Sequence, residues 1–471
     1  MKRPIICIYG VDTFPNDQFI SQDTMTVLCC NSNTDLKKTQ PDIIVTIGQK
    51  WNDFLFLASQ NISHKWLHYN SLDDVHIHQI MYCYISNLSK TPNPIFSVFT
   101  PSYKSGHKIL RPLRSLQSQT YPHWEWIIIN DSPEDQENCQ LLKNIERQDS
   151  RIRVYSGTHN IANIGQHKFS GAMLGRGKYL VELDHDDDLT PDCFQMAYDA
   201  FEKFPDAGFV YTNFAELYEK DLSPFKYGVW GFKYGGYYAQ MTKIPGQEEK
   251  KLTWVATSLN INNQTICNIV GVPNHIRIWK RDLYHELGGH NPLAVGDDYE
   301  LLVRTFLKTK MVKIPTLGYY QYRNEGGNTT FQRNGLITMT QNIVRQVYED
   351  KIEARLRELD CQTSLGYNTD LAVWENDVDE KYVNYIYKKP GKTIVITENY
   401  EQNIKHAITL EGIHEIAIVG YNSDFLPIIA PYIQDDRVIW WNLEKEYNDS
   451  GKVAKRYAQL LMVKTFEVLF L

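Results

Sequence analysis

At 471 residues the chain has room for about three domains. With 42% hydrophobic and 22% charged residues it has the composition of a globular protein rather than a disordered one. A formal net charge of -7, with no basic stripe to offset it, argues against a nucleic-acid partner. No run reaches about 18 uninterrupted apolar residues, so no membrane-spanning helix is expected. The 8 cysteines show no Cys-x-x-Cys or zinc-ligand spacing, which fits a reduced, cytoplasmic setting.

Short apolar runs at Ile5–Tyr9, Thr26–Cys30, Ile43–Ile47 and Trp66–Tyr69 read as strands, so residues 1–90 are expected to form a small α/β unit. The polar, proline-containing link at 89–94 marks a boundary before a new strand at 95–100. A second unit is expected over 91–335, then a helical connector over 336–380. In that connector Ile343, Val347, Ile352, Leu356 and Leu359 are expected on one side, packed on the core. Strands at 393–397, 415–419 and 437–441 then define a third α/β unit over 381–471, alternatively joined with residues 1–90 as one discontinuous domain. The apolar stretch 457–471, interrupted by Lys464 and Glu467, predicts a packed terminal helix, with contact to a membrane surface as the alternative.

The run Leu183-Asp184-His185-Asp186-Asp187-Asp188 places four carboxylates in five residues directly after an apolar strand at 178–183. Thr190 and Pro191 fit the cap and first position of a following helix. Ligands of open α/β sheets bind at the carboxyl ends of strands. Carboxylates this close raise one another's pKa unless a cation intervenes, so the cluster predicts a hard divalent ion, Mg²⁺ or Mn²⁺, shared with a diphosphate.

Four further features follow the same chain order. They are Pro101-Ser102-Tyr103-Lys104 with Gln119-Thr120-Tyr121, the strand end Asn130-Asp131-Ser132, Gly288-Gly289-His290 with Asp297-Asp298, and Tyr322-Arg323-Asn324-Glu325. Over residues 95–333 this ordered set resembles the family 2 glycosyltransferases of GT-A fold. The resemblance implies a central GT-A-like α/β domain flanked by small Rossmann-like units. It also implies an inverting transfer from a nucleotide-diphosphate sugar, a UDP-sugar, to the hydroxyl of a glycan, lipid or protein.

By that resemblance Ser102, Tyr103, Asp131, Lys168 and Asp184 would hold the nucleotide sugar. Asp186, with Asp184, would hold the metal, while Asp187 and Asp188 would support it or face solvent. Asp298 would be the base that takes the acceptor's proton, with Asp297 beside it. Glu325 stands where relatives carry a metal-reaching histidine, a departure from the family pattern in which its carboxylate would replace imidazole as a ligand for a hard ion. The Gln-x-x-Arg-Trp motif of processive synthases is missing, which favours single additions. The aromatic and glycine-rich segment 225–238 reads as an acceptor loop or as core filling. Two rival functions remain open: a metal-dependent nucleotidyltransferase or phosphohydrolase, and a non-catalytic sugar-nucleotide-binding module.

Overall fold

The computed structural model describes residues 4–10, 25–30, 32–48, 51–54, 56–57, 63–71, 75, 77–88, 94–157, 159–226, 237–258, 266, 273–324, 333–358, 385–386, 392–420, 426–432, 434–442 and 468–470. The chain divides into two compact units. The first takes Met1–Leu110, Tyr121–His185 and Ile278–Leu301; the second takes Arg111–Thr120, Asp186–Arg277 and Leu302–Leu471.

In the first unit, β1 (Ile5–Tyr9), β2 (Thr26–Cys30), β3 (Ile43–Ile47) and β4 (Trp66–Tyr69) form a parallel sheet in the order β2-β1-β3-β4. Cys7 and Cys30 are joined by a disulfide between β1 and β2, a pairing that the expectation of reduced thiols did not contain. A second parallel set runs β7 (Ile152–Ser156), β6 (Trp124–Asn130), β5 (Phe96–Ser102) and β8 (Tyr179–Glu182). Strand β6 is buried along its whole length, as a parallel strand covered on both faces should be. The two sheets share a core in which Cys7, Ile44 and Trp66 meet Ile127, Ile129 and Tyr155. Strand β7 ends its sheet, and bare edge carbonyls invite mispairing. Here Asn70 Nδ2 donates to the Val154 carbonyl at 3.1 Å and Gln79 Nε2 to the Ile152 carbonyl at 3.3 Å.

The second unit begins with β9 (Asp188–Leu189) and the long β10 (Ala207–Tyr218), followed by β11 (Pro224–Phe225), β12 (Tyr237–Thr242) and β13 (Lys251–Ala256). The short β14 (Arg277–Lys280), which belongs to the first unit but for Arg277, precedes in sequence β15 (Lys310–Arg323), which runs parallel to β10 and antiparallel to β9, with Asp188 opposite Tyr320. After β16 (Tyr385–Ile386) come β17 (Lys392–Ile396), β18 (Ile413–Gly420), β19 (Val438–Asn442) and β20 (Val468–Phe470). The last four are parallel in the order β20-β17-β18-β19, and β19 pairs antiparallel with β12. The C-terminal strands therefore extend the second unit's own sheet, sharing a core of Tyr238, Val255 and Tyr320 with Val395, Ala417 and Ile439.

Three local expectations are corrected. The helix Asn334–Glu358 forms, but Ile343 and Val347 are 52% and 63% exposed while Val344 and Ile352 are buried. At about 100° per residue Ile352 lies roughly 140° around the helix from Val347, so the two never shared a side. The Leu356 side chain and Leu359 lie outside the described part of the chain. Val468–Phe470 is a strand rather than the end of a helix; residues 457–467 lie outside the described residues. The helix behind the acidic run starts at Cys193, not Pro191. Thr190 is drawn instead into pairing with β15, its N–H donating to the Gly318 carbonyl at 3.0 Å and its hydroxyl to the Leu317 carbonyl at 3.3 Å.

Candidate functional site

Within the first unit, Asp131 stands at the end of β6, and its N–H donates to the Ser102 carbonyl at the end of β5. Its buried carboxylate accepts from the Ile161 N–H at 2.8 Å and the Ala162 N–H at 3.2 Å, and lies 2.9 Å from His167 Nε2. Burial pulls His167 down from its ordinary pKa, opposed by Asp131. Asp131 thus fixes the chain that leads into the helix Ile164–Met173. Ser102 is buried, its hydroxyl donating to Ser105 Oγ at 2.9 Å. Tyr103 next to it is 47% exposed, with Lys104 Nζ 5.3 Å above its ring. An open aromatic face of this kind suits the stacking of a base.

One turn into the same helix, Lys168 is buried with its Nζ 2.9 Å from Glu182 of β8 and 3.1 Å from Asp297. Burial alone would lower its pKa. The carboxylates of Asp297, Glu182, Asp298 and Asp184 overcome that and push its pKa well above the usual lysine value. His290 joins the group, its Nε2 3.5 Å from Glu182 and 3.9 Å from Asp297, and its Nδ1 2.6 Å from the Tyr284 hydroxyl. Asp297 and Asp298 open the helix Asp297–Lys308, where the helix dipole favours acids. Asp297 is buried, and burial raises its pKa against the pull of Lys168. Asp298 is only half-buried, and its Oδ1 accepts from the Tyr299 N–H at 2.7 Å.

Within the second unit, the rest of the acidic run is gripped by β15. Asp187 accepts from the Tyr319 hydroxyl at 2.7 Å and the Tyr322 N–H at 2.9 Å, and Asp188 accepts from the Tyr322 hydroxyl at 2.7 Å. Both are buried, which excludes the solvent-facing option for them. Burial raises Asp188 to a pKa of about 6, with the Tyr322 hydrogen bond pulling the other way. Asp186 is half-buried and accepts from Asn324 Nδ2 at 2.8 Å. Its carbonyl takes Arg111 Nη1 at 3.0 Å, and that guanidinium also pairs with Glu219 at 2.8 Å and lies 4.2 Å from the Tyr322 ring centre.

His275 stacks on Tyr319 with ring centres 4.3 Å apart, and it and Asp187 present ligand atoms within 4.8 Å of each other. Carboxylate oxygens with one imidazole form a donor set that suits Mn²⁺ or Mg²⁺, so the residues present fit a divalent ion. Glu325 and residues 227–236 of the aromatic segment lie outside the described residues.

Sequence reading singled out neither Glu182 nor Arg111. For Glu182 a signal was present: an acid inside the apolar strand Tyr179–Glu182 is seldom buried without a partner. Arg111 carries no such mark, because one basic residue on a helix usually faces water.

Residues 97–257 match the family model described as glycosyl transferase family 2. An uncharacterized protein y4gI of Sinorhizobium fredii is 32% identical over 127 residues, covering 27% of this chain and 14% of that protein. The chondroitin synthase of Pasteurella multocida is 21% identical over 368 residues, covering 76% of this chain and 32% of that protein. The chain thus spans no more than about a third of these curated relatives' length. Among solved structures, S. aureus TarS 1-349 in complex with UDP-GlcNAc is similar at 14% identity and a TM-score of 0.41, covering 61% of this chain and 71% of that one.

Proposed function

We propose that the chain is a glycosyltransferase with a central domain of GT-A-like α/β fold, a reading supported by the match of residues 97–257 to the glycosyl transferase family 2 model. It moves a sugar from a nucleoside-diphosphate donor, a UDP-sugar, to a hydroxyl on a glycan, lipid or protein. The observation that carries this reading is the unequal treatment of two adjacent acids. Asp297 is buried on Lys168, whereas Asp298 keeps a half-buried place at the head of its helix. A base needs access to the proton it removes, and the half-buried place of Asp298 supports giving it that role. Attack by a hydroxyl so activated, in a single displacement, inverts the sugar's anomeric centre.

Tyr103 stacks the base, and Asp131 and Ser102 shape the turn that receives the nucleoside. Asp184 and Asp186 supply carboxylates for Mn²⁺ or Mg²⁺, and His275 and Asp187 offer further ligand atoms. When bound, such an ion stabilises the charge of the departing diphosphate. Asn324 and Arg111 orient Asp186 from its side chain and its carbonyl. Transfer is non-processive. We place the enzyme in the cytoplasm or against its membrane surface; separately, among the described residues no helix is long and apolar enough to cross a membrane. Residues 1–90, 91–335, 336–380 and 381–471 stand as the proposed functional divisions.

The test is a panel of nucleotide sugars assayed with Mn²⁺ for slow hydrolysis and transfer, on the wild type and on Asp186→Ala. The expected product is a nucleoside diphosphate, and Asp186→Ala is expected to weaken metal-dependent nucleotide binding by at least about tenfold. Release of pyrophosphate would instead identify a nucleotidyltransferase, and an unchanged metal requirement in Asp186→Ala would remove Asp186 from the metal.

A further inference from the structure

Lys168, Glu182, His290 and Asp297 form one buried cluster. A surface lysine is tolerated for little gain; a buried one persists only with close, well-placed partners. Lys168 has two carboxylates within 3.1 Å and Asp298 and Asp184 within electrostatic reach. Of these acids, Asp184 is assigned above to the donor and Asp297 and Asp298 to the acceptor side.

The chain also spends a glycine on bringing this cation into place. A Cβ on Gly165 would stand 2.1 Å from the Asn291 carbonyl oxygen, 3.0 Å from the Leu293 nitrogen and 3.1 Å from Asp297 Cβ. The close approach is stitched by hydrogen bonds, from Gly165 N–H to the Leu293 carbonyl at 3.3 Å and from Asn163 Nδ2 to the Pro292 carbonyl at 3.1 Å. The first turn of the helix Ile164–Met173 thus lies directly on the segment that leads into Asp297 and Asp298, and Lys168 follows within one turn.

We infer that Lys168 is a positioning residue for acceptor activation, delivered by the Gly165 contact, which holds Asp297 and through it the helix end that presents Asp298, and that it makes no contact with the nucleotide. This rests on the glycosyl-transfer reading and deepens it. Two neighbouring carboxylates resist ionising together, and a cation between them relieves that resistance. Asp297 engages the cation, and the helix end it anchors carries Asp298.

The test compares Lys168→Met, Asp297→Asn, the double variant and Gly165→Ala by steady-state turnover and by calorimetry with UDP and Mn²⁺. Lys168→Met is expected to lower kcat by about 10- to 100-fold with the UDP Kd held within about twofold. The double variant, in which cation and excess anion leave together, is expected to recover about fivefold or more of that loss. Gly165→Ala, whose Cβ would meet the Asn291 carbonyl and Asp297 Cβ and so push apart the contact that delivers Lys168, is expected to lower kcat with UDP binding intact. It decides the matter should Lys168→Met fail to fold.

A raised UDP Kd in Lys168→Met would make the lysine a nucleotide contact and overturn the inference. So would a double variant no faster than the single one, or a Gly165→Ala enzyme with normal kcat. A wild type that turns over no sugar would instead overturn the glycosyl-transfer reading, and the UDP titration alone would then decide whether Lys168 touches nucleotide.

Discussion

Asp298→Asn is expected to lose at least about a hundredfold in turnover, because a positioned general base contributes about 10² to 10⁴ in rate, while UDP binding in the presence of Mn²⁺ stays unchanged. Asparagine keeps the shape and can still accept a hydrogen bond from the Tyr299 N–H, as the Oδ1 of Asp298 does at 2.7 Å, so the start of the helix is preserved. It cannot remove a proton. Asp297→Asn should behave differently. It removes one of the two carboxylates that hold the buried Lys168 ammonium, so a lowered thermal midpoint accompanies any loss of turnover. Parallel measurement of kcat, UDP Kd and thermal midpoint separates the two acids. Near-normal turnover in Asp298→Asn would take Asp298 out of the base's role and return it to Asp297, or to a group nearer the acceptor.

The strands were legible because each is a compact run of β-branched and aromatic residues: all four of the first sheet are found at Ile5–Tyr9, Thr26–Cys30, Ile43–Ile47 and Trp66–Tyr69. Strand interiors speak through composition, which is local. The fate of a charged side chain is not local. Nothing in the spelling of Asp184-His185-Asp186-Asp187-Asp188 says that the last two acids are gripped by tyrosines more than a hundred residues later. The sequence around Lys168 is equally silent on Glu182 and Asp297. The helix Asn334–Glu358 differs in another way: positions 343, 347 and 352 do not advance by whole turns, so their shared apolar character does not put them on one face.

The other large effect lies away from the chemistry. Glu125→Gln is expected to destabilise the protein by about 3–5 kcal/mol, the usual result of removing one partner from a buried ionic group. Glu125 of β6 is fully buried. It accepts from the Ser97 hydroxyl at 2.6 Å, the Arg176 N–H at 2.7 Å and Nε at 2.8 Å, and Arg153 Nη2 at 2.9 Å. Glutamine fills the same space but leaves two guanidinium groups facing an amide. Arg176 is in turn held through its carbonyl by Arg281 Nη1 at 2.7 Å and interacts with Cys83. The lost charge therefore loosens β5, β6, β7 and the helix Ile77–Leu88 together. Burial works to raise the pKa of Glu125, yet Arg176 and Arg153 outweigh it and hold the carboxyl at about 2 instead of the usual 4.5. Depression of this kind stabilises the fold by about 3 kcal/mol above pH 4.5, and that contribution disappears as pH falls toward 2. Denaturant titrations between pH 7 and pH 2 should show the wild type losing stability steeply below about pH 4.5. The Glu125→Gln variant, already weaker at pH 7, should show a shallower fall. Equal slopes in the two proteins would mean that Glu125 is not what acid undoes.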